Sequence, residues 1–227
     1  MHIFGRPIQK LKILCQSFPV QLPDPIIETA ARLLQGNKSP VILDAGCGEG
    51  YYTTRLFTAL SEKGFSPEIL GIDISKFTID IAAKRCRDVQ FAVASAFHLP
   101  VQDASFDLAI NFFAPYTGEE TLRILKKDGL FIMAIPDEDH LWELKEAVYE
   151  TPYKNEVKDY ALEGFTFLEA QTVRTTLDLP CSEDILNLFQ MTPYYYKTSR
   201  EDQQRLERLE RLSVTAAFRL LAYRKAN

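Results

Sequence analysis

The sequence predicts an α/β fold, a largely parallel sheet covered by helices on both faces. Three observations carry that reading. Short apolar runs alternate with amphipathic stretches of helical spacing. The first run ends in an aspartate and the closely spaced glycines Gly46, Gly48 and Gly50, which lead straight into a helix. The chain has 227 residues, 46% hydrophobic and 25% charged, enough to bury one sizeable core.

The elements follow in order. Residues 1–23 carry Pro7, Pro19 and Pro23 with weak periodicity and read as an N-terminal arm or cap, leaving 24–227 as the main domain. Asp24 and Pro25 suit the cap and first position of a helix through Ile26, Ile27, Ala30, Leu33 and Leu34, stopped by Gly36. Val41-Ile42-Leu43 is a strand, and Tyr51 to about Lys63 a helix. The alternation repeats with a strand over 68–74, a helix over 75–86 opened by a serine cap, and a strand over 89–94. Two more apolar strands, 106–113 and 129–135, flank a helix over 118–127. A helix over 138–150, a strand over 171–179, a helix over 182–191 and a strand over 214–223 complete the chain. Parallel neighbours of this kind need right-handed crossovers. Residues 197–211, with Arg205, Glu207, Arg208 and Glu210 in alternating sign, read as a solvated face.

Composition excludes several classes. Twenty-six Lys and Arg against 31 Asp and Glu give a net charge of −5, so any nucleic-acid contact must come from a local patch. Cys15, Cys47, Cys86 and Cys181 are scattered, without the pairing of a metal site or a disulfide framework. No run of 18 apolar residues is present, and a reducing, cytoplasmic setting without a membrane partner is expected.

The turn at 44–50 is the most informative stretch. A chain that bends sharply from a buried strand into a helix while leaving its backbone open to a ligand needs residues without a Cβ. The dinucleotide fingerprint wants G-x-G-x-x-G; here the spacing is G-x-G-x-G, with Asp44 two residues ahead of Gly46. A carboxylate at the mouth of such a loop repels a pyrophosphate and suits a cationic ligand. Asp73, ending the next strand, is placed as a bidentate acceptor for a ribose diol. Ala94-Ser95-Ala96-Phe97 follows the third strand, where small residues and one ring can flank an adenine.

These residues resemble the first motif of class I S-adenosylmethionine-dependent methyltransferases. The run from Asp44 to Thr53 is similar in particular to the bacterial large-subunit rRNA (guanine-N1)-methyltransferases. Gly71 to Lys76, Ala82 to Arg85, Val93-Ala94-Ser95 with Leu99-Pro100, and Ala114-Pro115 extend the match. His140-Leu141, Glu143-Leu144-Lys145, Leu162 to Phe165 and Gln190 to Pro193 carry it past the generic cofactor half, over about residues 24 to 196. The resemblance implies a Rossmann-like domain with a mostly parallel seven-stranded sheet. It further implies S-adenosyl-L-methionine as cofactor, held by Asp44, Gly46, Cys47, Gly48, Tyr52, Asp73, Ile74, Ser95, Ala96 and Asn111. Members of that family begin with a small zinc-binding module of four ligands, which these cysteines do not supply. The acceptor is therefore open between rRNA and a small molecule, and a cofactor-binding subunit that needs a partner for activity is a third reading. The oligomeric state is open as well.

Methyl transfer needs an aligned acceptor, a dry pocket and, for guanine N1, loss of a proton. Asn111 to Tyr116, ending the fourth strand, is expected to line the acceptor pocket. Asn111 and Pro115 would present polar and carbonyl groups, and Phe113 or Tyr116 would stack. His140, at the start of the following helix, is a candidate proton acceptor, with an ordinary structural role as the competing reading. Gln190 to Pro193 with Tyr194, Tyr195 and Tyr196 could close a pocket with base-stacking rings.

Overall fold

The computed structural model describes residues 23–157 and 160–226. The expected arm over 1–23 therefore lies outside the described residues except for Pro23, which starts the first helix. The elements in chain order are α1 (Pro23–Leu33), β1 (Val41–Ala45), α2 (Tyr51–Glu62), β2 (Glu68–Asp73), α3 (Lys76–Arg85) and β3 (Gln90–Val93). They continue with β4 (Phe106–Phe112), α4 (Gly118–Ile124), β5 (Leu125–Pro136), α5 (Trp142–Val148) and β6 (Phe165–Leu179). α6 (Ser182–Gln190), a 3₁₀ turn (Tyr195–Lys197), α7 (Arg200–Glu207) and β7 (Leu212–Lys225) follow.

The seven strands hydrogen-bond in the order β3-β2-β1-β4-β5-β7-β6. The pairs β1–β2, β1–β4, β2–β3 and β4–β5 are all parallel. Strand order therefore reverses between β1 and β4, and ligands of open α/β sheets bind beyond the strand carboxyl ends at such a reversal.

The described residues form two compact units, one of 23–135, 160–173 and 219–226, the other of 136–157 and 174–218; β6 and β7 contribute to both. In the first unit a core of Leu43, Ala45, Ile72, Phe106, Ala109, Phe131, Met133 and Tyr223 is sealed by Tyr116 and Phe165. The second unit centres on α5, α6 and α7, with Leu144, Ile185, Phe189 and Leu206 buried. Among the described residues no helix is long and apolar enough to cross a membrane.

Several boundaries differ from the sequence reading. The helix expected over 118–127 stops at Ile124, because the chain at once enters β5. Leu125 pairs with Phe106 and Leu130 with Leu108, so Lys126 to Gly129 bulge out of register, with Asp128 at φ 59°. Lys126 Nζ anchors the bulge on Asp107 Oδ2 at 2.8 Å. The helix expected over 138–150 shrinks to α5, because Asp137 to Leu141 form a turn that ends with Leu141 at φ 54°. Strand β6 begins six residues earlier than expected, at Phe165 rather than Gln171. The charged segment at 197–211 contains α7, whose Leu206 is fully buried, so only part of that segment is a solvated face.

Candidate functional site

The turn after β1 is fastened to its neighbours by backbone bonds. The N–H groups of Gly46 and Cys47 both donate to the Ile72 carbonyl at 2.8 Å, and Gly50 N–H donates to Cys47 O at 2.9 Å. Gly48 N–H donates to Asp73 Oδ2 at 3.1 Å, while Asp73 Oδ1 accepts from Ser75 N–H at 2.8 Å. The carbonyl of Asp73 accepts from Ala94 N–H at 3.1 Å, bringing in the end of β3. Asn111, buried on β4, donates from Nδ2 to the Ala45 carbonyl at 2.9 Å. Asp44, Gly46, Cys47, Gly48, Asp73, Ile74, Ser95, Ala96 and Asn111 thus gather at the carboxyl ends of β1 to β4, with Tyr52 in the first turn of α2.

The glycines have different reasons to be glycine. Gly46, Gly48 and Gly50 all have positive φ. A Cβ on Gly46 would stand 2.2 Å from the Ala114 Cβ, and one on Gly50 3.0 Å from Ala82 and from the Phe91 ring. These two positions are small so that the chain can pack on itself, an origin the motif spacing does not reveal. At Gly48 a Cβ would meet nothing within 4 Å, so here the open space is what the turn provides. Cys47 is buried with its Sγ beside Gly71, and burial pushes its thiol up, away from thiolate reactivity.

The two carboxylates also differ. Asp44 is not at the mouth of the loop but buried beneath it, where Oδ2 accepts from Thr53 Oγ1 at 2.5 Å. Desolvation pushes it up to about 7, against the opposing bond from Thr53 and with some help from the charge of Asp73. At neutral pH it is poised between its charged and neutral forms. Asp73 is only half-buried, and although both oxygens accept backbone N–H groups, a carboxylate has further lone pairs for hydroxyl donors. Thr53, which the sequence reading did not single out, holds the Asp44 carboxyl; its place one helical turn past the glycines was the available signal.

Beyond β2 and β3 the surface is apolar. Ile74 is 77% exposed and Phe97 57%, and Ser95 Oγ accepts from Phe97 N–H at 3.2 Å to hold that loop. After β4, Phe113 adopts φ 59° and is 45% exposed, while its N–H donates to Ala134 O at 3.3 Å. A non-glycine residue held in this region costs about 1–2 kcal/mol, and such strain concentrates at functional positions. Pro115 is exposed. Tyr116 is half-buried with its ring 5.4 Å from Phe131, so its ring packs on the core. The Tyr52 ring stands edge-on to Phe112 at 5.5 Å.

His140 lies in the other unit, on the turn before α5. Its ring packs on Phe218 at 4.5 Å and its Nδ1 accepts from Ala217 N–H at 3.3 Å. Burial, helped by nearby Lys145, pushes it down to about 4. The ring is therefore neutral at pH 7, and with Nδ1 accepting, its proton sits on Nε2. Among the described residues no cluster of His, Cys, Asp and Glu could hold a metal ion.

A mostly parallel sheet with its reversal at β1/β4, a glycine turn and a strand-ending aspartate define the Rossmann-like class I methyltransferase fold. The chain belongs to the methyltransferase domain family, whose sequence model matches residues 37–206. A Bacillus subtilis relative named "Putative 23S rRNA (guanine-N(1)-)-methyltransferase YxjB" is 30% identical over 204 residues, 88% of this chain and 72% of the relative. The 23S rRNA (guanine(748)-N(1))-methyltransferase of Streptomyces fradiae is 30% identical over 128 residues, 56% of this chain; the aligned part spans 44% of that enzyme. Among solved structures, the YcgJ protein of Bacillus subtilis shares the fold with a TM-score of 0.59 at 16% identity, over 90% of this chain and 98% of that one.

Proposed function

We propose that this chain is an S-adenosylmethionine-dependent methyltransferase acting on a guanine of rRNA. The observation that carries the cofactor is the Gly48–Asp73 pair: open space over a backbone glycine, beside a half-buried carboxylate fixed by two N–H groups. The residues fit the group. Asp73 would accept the ribose hydroxyls, the backbone at Gly46 to Gly48 would face the amino-acid part, and Asp44 would answer the positive charges from below. Ile74, Ser95, Ala96 and the Phe97 ring would bound the adenine. The cofactor supplies an electrophilic methyl group on a sulfonium.

The acceptor reading rests on the two rRNA-enzyme relatives and on the strained Phe113 with Asn111, Pro115 and Tyr116 at the end of β4. With Asn111 committed to Ala45 and His140 a donor at neutral pH, the chain contributes orientation and exclusion of water more than proton abstraction. Calorimetry with S-adenosylmethionine, followed by methyl incorporation into rRNA lacking the modification, tests both levels. Tight cofactor binding with incorporation at a guanine N1 is expected. Binding without incorporation removes the rRNA claim, and absence of binding removes the whole reading.

A further inference from the structure

The second unit contains a feature that methyl transfer does not use. Along α7, Arg200, Gln203, Gln204 and Glu207 stand at positions i, i+3, i+4 and i+7, one stripe of the helix. On α6, Leu186, Phe189 and Gln190 form a matching stripe. Stripes of this spacing on packed helices are ordinarily apolar and close the gap between them. Here the two stripes, with Tyr195 from the 3₁₀ turn and with Arg200, Gln204 and Glu207 exposed at the rim, line a solvent-open cavity of about 350 Å³. That lies within the range of small-ligand pockets, roughly 300–1,000 Å³. Leu206, on another face of α7, is fully buried, so the helix is anchored independently of the cavity.

The lining has the chemistry of base recognition. Phe189 and Tyr195 meet edge to face at 5.5 Å and supply an aromatic wall. Gln203 Nε2 donates to Thr198 O at 3.0 Å, which holds the turn carrying Tyr195. The side chains of Gln190, Arg200, Gln204 and Glu207 make no hydrogen bond or ion pair with another described residue. A carboxylate is an acceptor only and a guanidinium a donor only. Guanine offers two adjacent donors, N1–H and N2–H, beside the acceptor O6, whereas adenine sets a donor beside an acceptor.

We propose that the cavity between α6 and α7 takes the guanine base of an unpaired nucleotide, stacked on Tyr195, with Glu207 accepting from its N1–H and N2–H and Arg200 donating to O6. Single-stranded bases are recognised in this way, by stacking plus hydrogen bonds on the pairing edge. The proposal rests on the rRNA reading only for the source of the base, an unpaired nucleotide of the same RNA.

The test uses the full chain and GMP, with AMP as the contrast, in calorimetric titrations. GMP is expected to bind at least about tenfold more tightly than AMP, the discrimination expected of a single carboxylate reading a base edge. Glu207→Gln should abolish that preference, and Tyr195→Leu should weaken both nucleotides. Equal binding of GMP and AMP, or a preference that survives Glu207→Gln, overturns the proposal. Should Tyr195→Leu fail to fold, Glu207→Gln at the exposed end of the stripe carries the test alone. Methylation kinetics on rRNA separate the two claims. An unmethylated RNA together with a Glu207-dependent GMP preference removes the rRNA reading and keeps the cavity. Methylation whose KM is unmoved by Glu207→Gln, with no GMP preference, does the reverse.

Discussion

The turn after β1 and the facing stripes of α6 and α7 handle polar groups in opposite ways. In the turn, Gly46, Cys47 and Gly48 N–H groups and the Asp44 carboxyl all have partners within the fold. On α7, Arg200, Gln204 and Glu207 face a cavity with none among the described residues. The first region is preorganised: its donors are spent on shaping a cradle, and what remains for a ligand is space over Gly48 and the spare lone pairs of Asp73. The second keeps its hydrogen-bonding capacity for whatever enters. Preorganised sites lose most when their shape is disturbed, whereas unspent sites lose selectivity while the fold survives.

The largest effect should come from Gly46→Val. The added Cβ meets Ala114 at 2.2 Å on a backbone of φ 90°, so the damage is to packing. A loss of about 3 kcal/mol or more is expected, from overpacking and backbone strain together, read by thermal unfolding, with cofactor binding lost as a consequence. Ala114→Gly in the same chain should recover part of the stability. Gly48→Ala is the counterpart: the site is open, so the fold should lose only about 1–2 kcal/mol for the positive φ, while cofactor affinity falls sharply. If both variants lose stability equally, the distinction between packing and ligand-facing glycines disappears.

Comparable in size is the pH response of Asp44. The folded protein keeps a proton on this carboxyl until about pH 7, while the unfolded chain releases it near its ordinary value of 3.8. Folded molecules therefore bind more protons between those limits, and stability falls as pH rises through them, by up to about 4 kcal/mol, then levels off. Asp44→Asn should flatten that slope and make the protein relatively more stable above pH 7, as urea titrations from pH 4 to 8 would read. A cationic ligand favours the charged carboxylate, so cofactor binding at pH 6 should release protons, visible as a buffer-dependent enthalpy. The Asn variant should not release them, and an unchanged buffer dependence would show that the buried carboxyl does not sense the ligand.

Asp73→Ala should cost about 1–3 kcal/mol of cofactor binding, the loss expected from unpaired hydroxyl partners. Because Asp73 also accepts from Gly48 and Ser75, a modest fall in melting temperature should accompany it. Unchanged affinity would place the ribose elsewhere.

These contrasts follow what could be read from the sequence. The central strands β1 and β4 were legible because parallel strands buried on both faces are continuous apolar runs, and the glycine turn because few residue types can make it. The reason for Gly46 was not legible, since Ala114 is brought to it only by the β1–β4 neighbourhood. Nor was the burial of Asp44, which depends on the inward face of β1 and on Thr53 folding back over it. The α5 boundary was missed because Leu141 at positive φ carries no sequence signal in a leucine. On α7 the alternating charges concealed two faces, one holding Leu206 in the core and one lining a cavity, and only the neighbouring helix separates them.

The smallest expected effect is on stability at that stripe. Glu207 and Gln204 are exposed and without partners, so Glu207→Gln and Gln204→Leu should each change unfolding free energy by less than about 0.5 kcal/mol. A stripe that packs in the ordinary sense would respond otherwise: Gln204→Leu would fill the gap between α6 and α7 and stabilise by more than about 1 kcal/mol, the scale of burying one or two methylenes. The two outcomes divide a retained cavity from an incompletely closed core. Near-neutral stability joined to lost discrimination between GMP and AMP is what an unspent site requires, because the residues then serve the ligand and not the helix pair. Stabilisation with no effect on nucleotides would move α7 to the same category as the turn after β1, where side chains and backbone are used up by the fold.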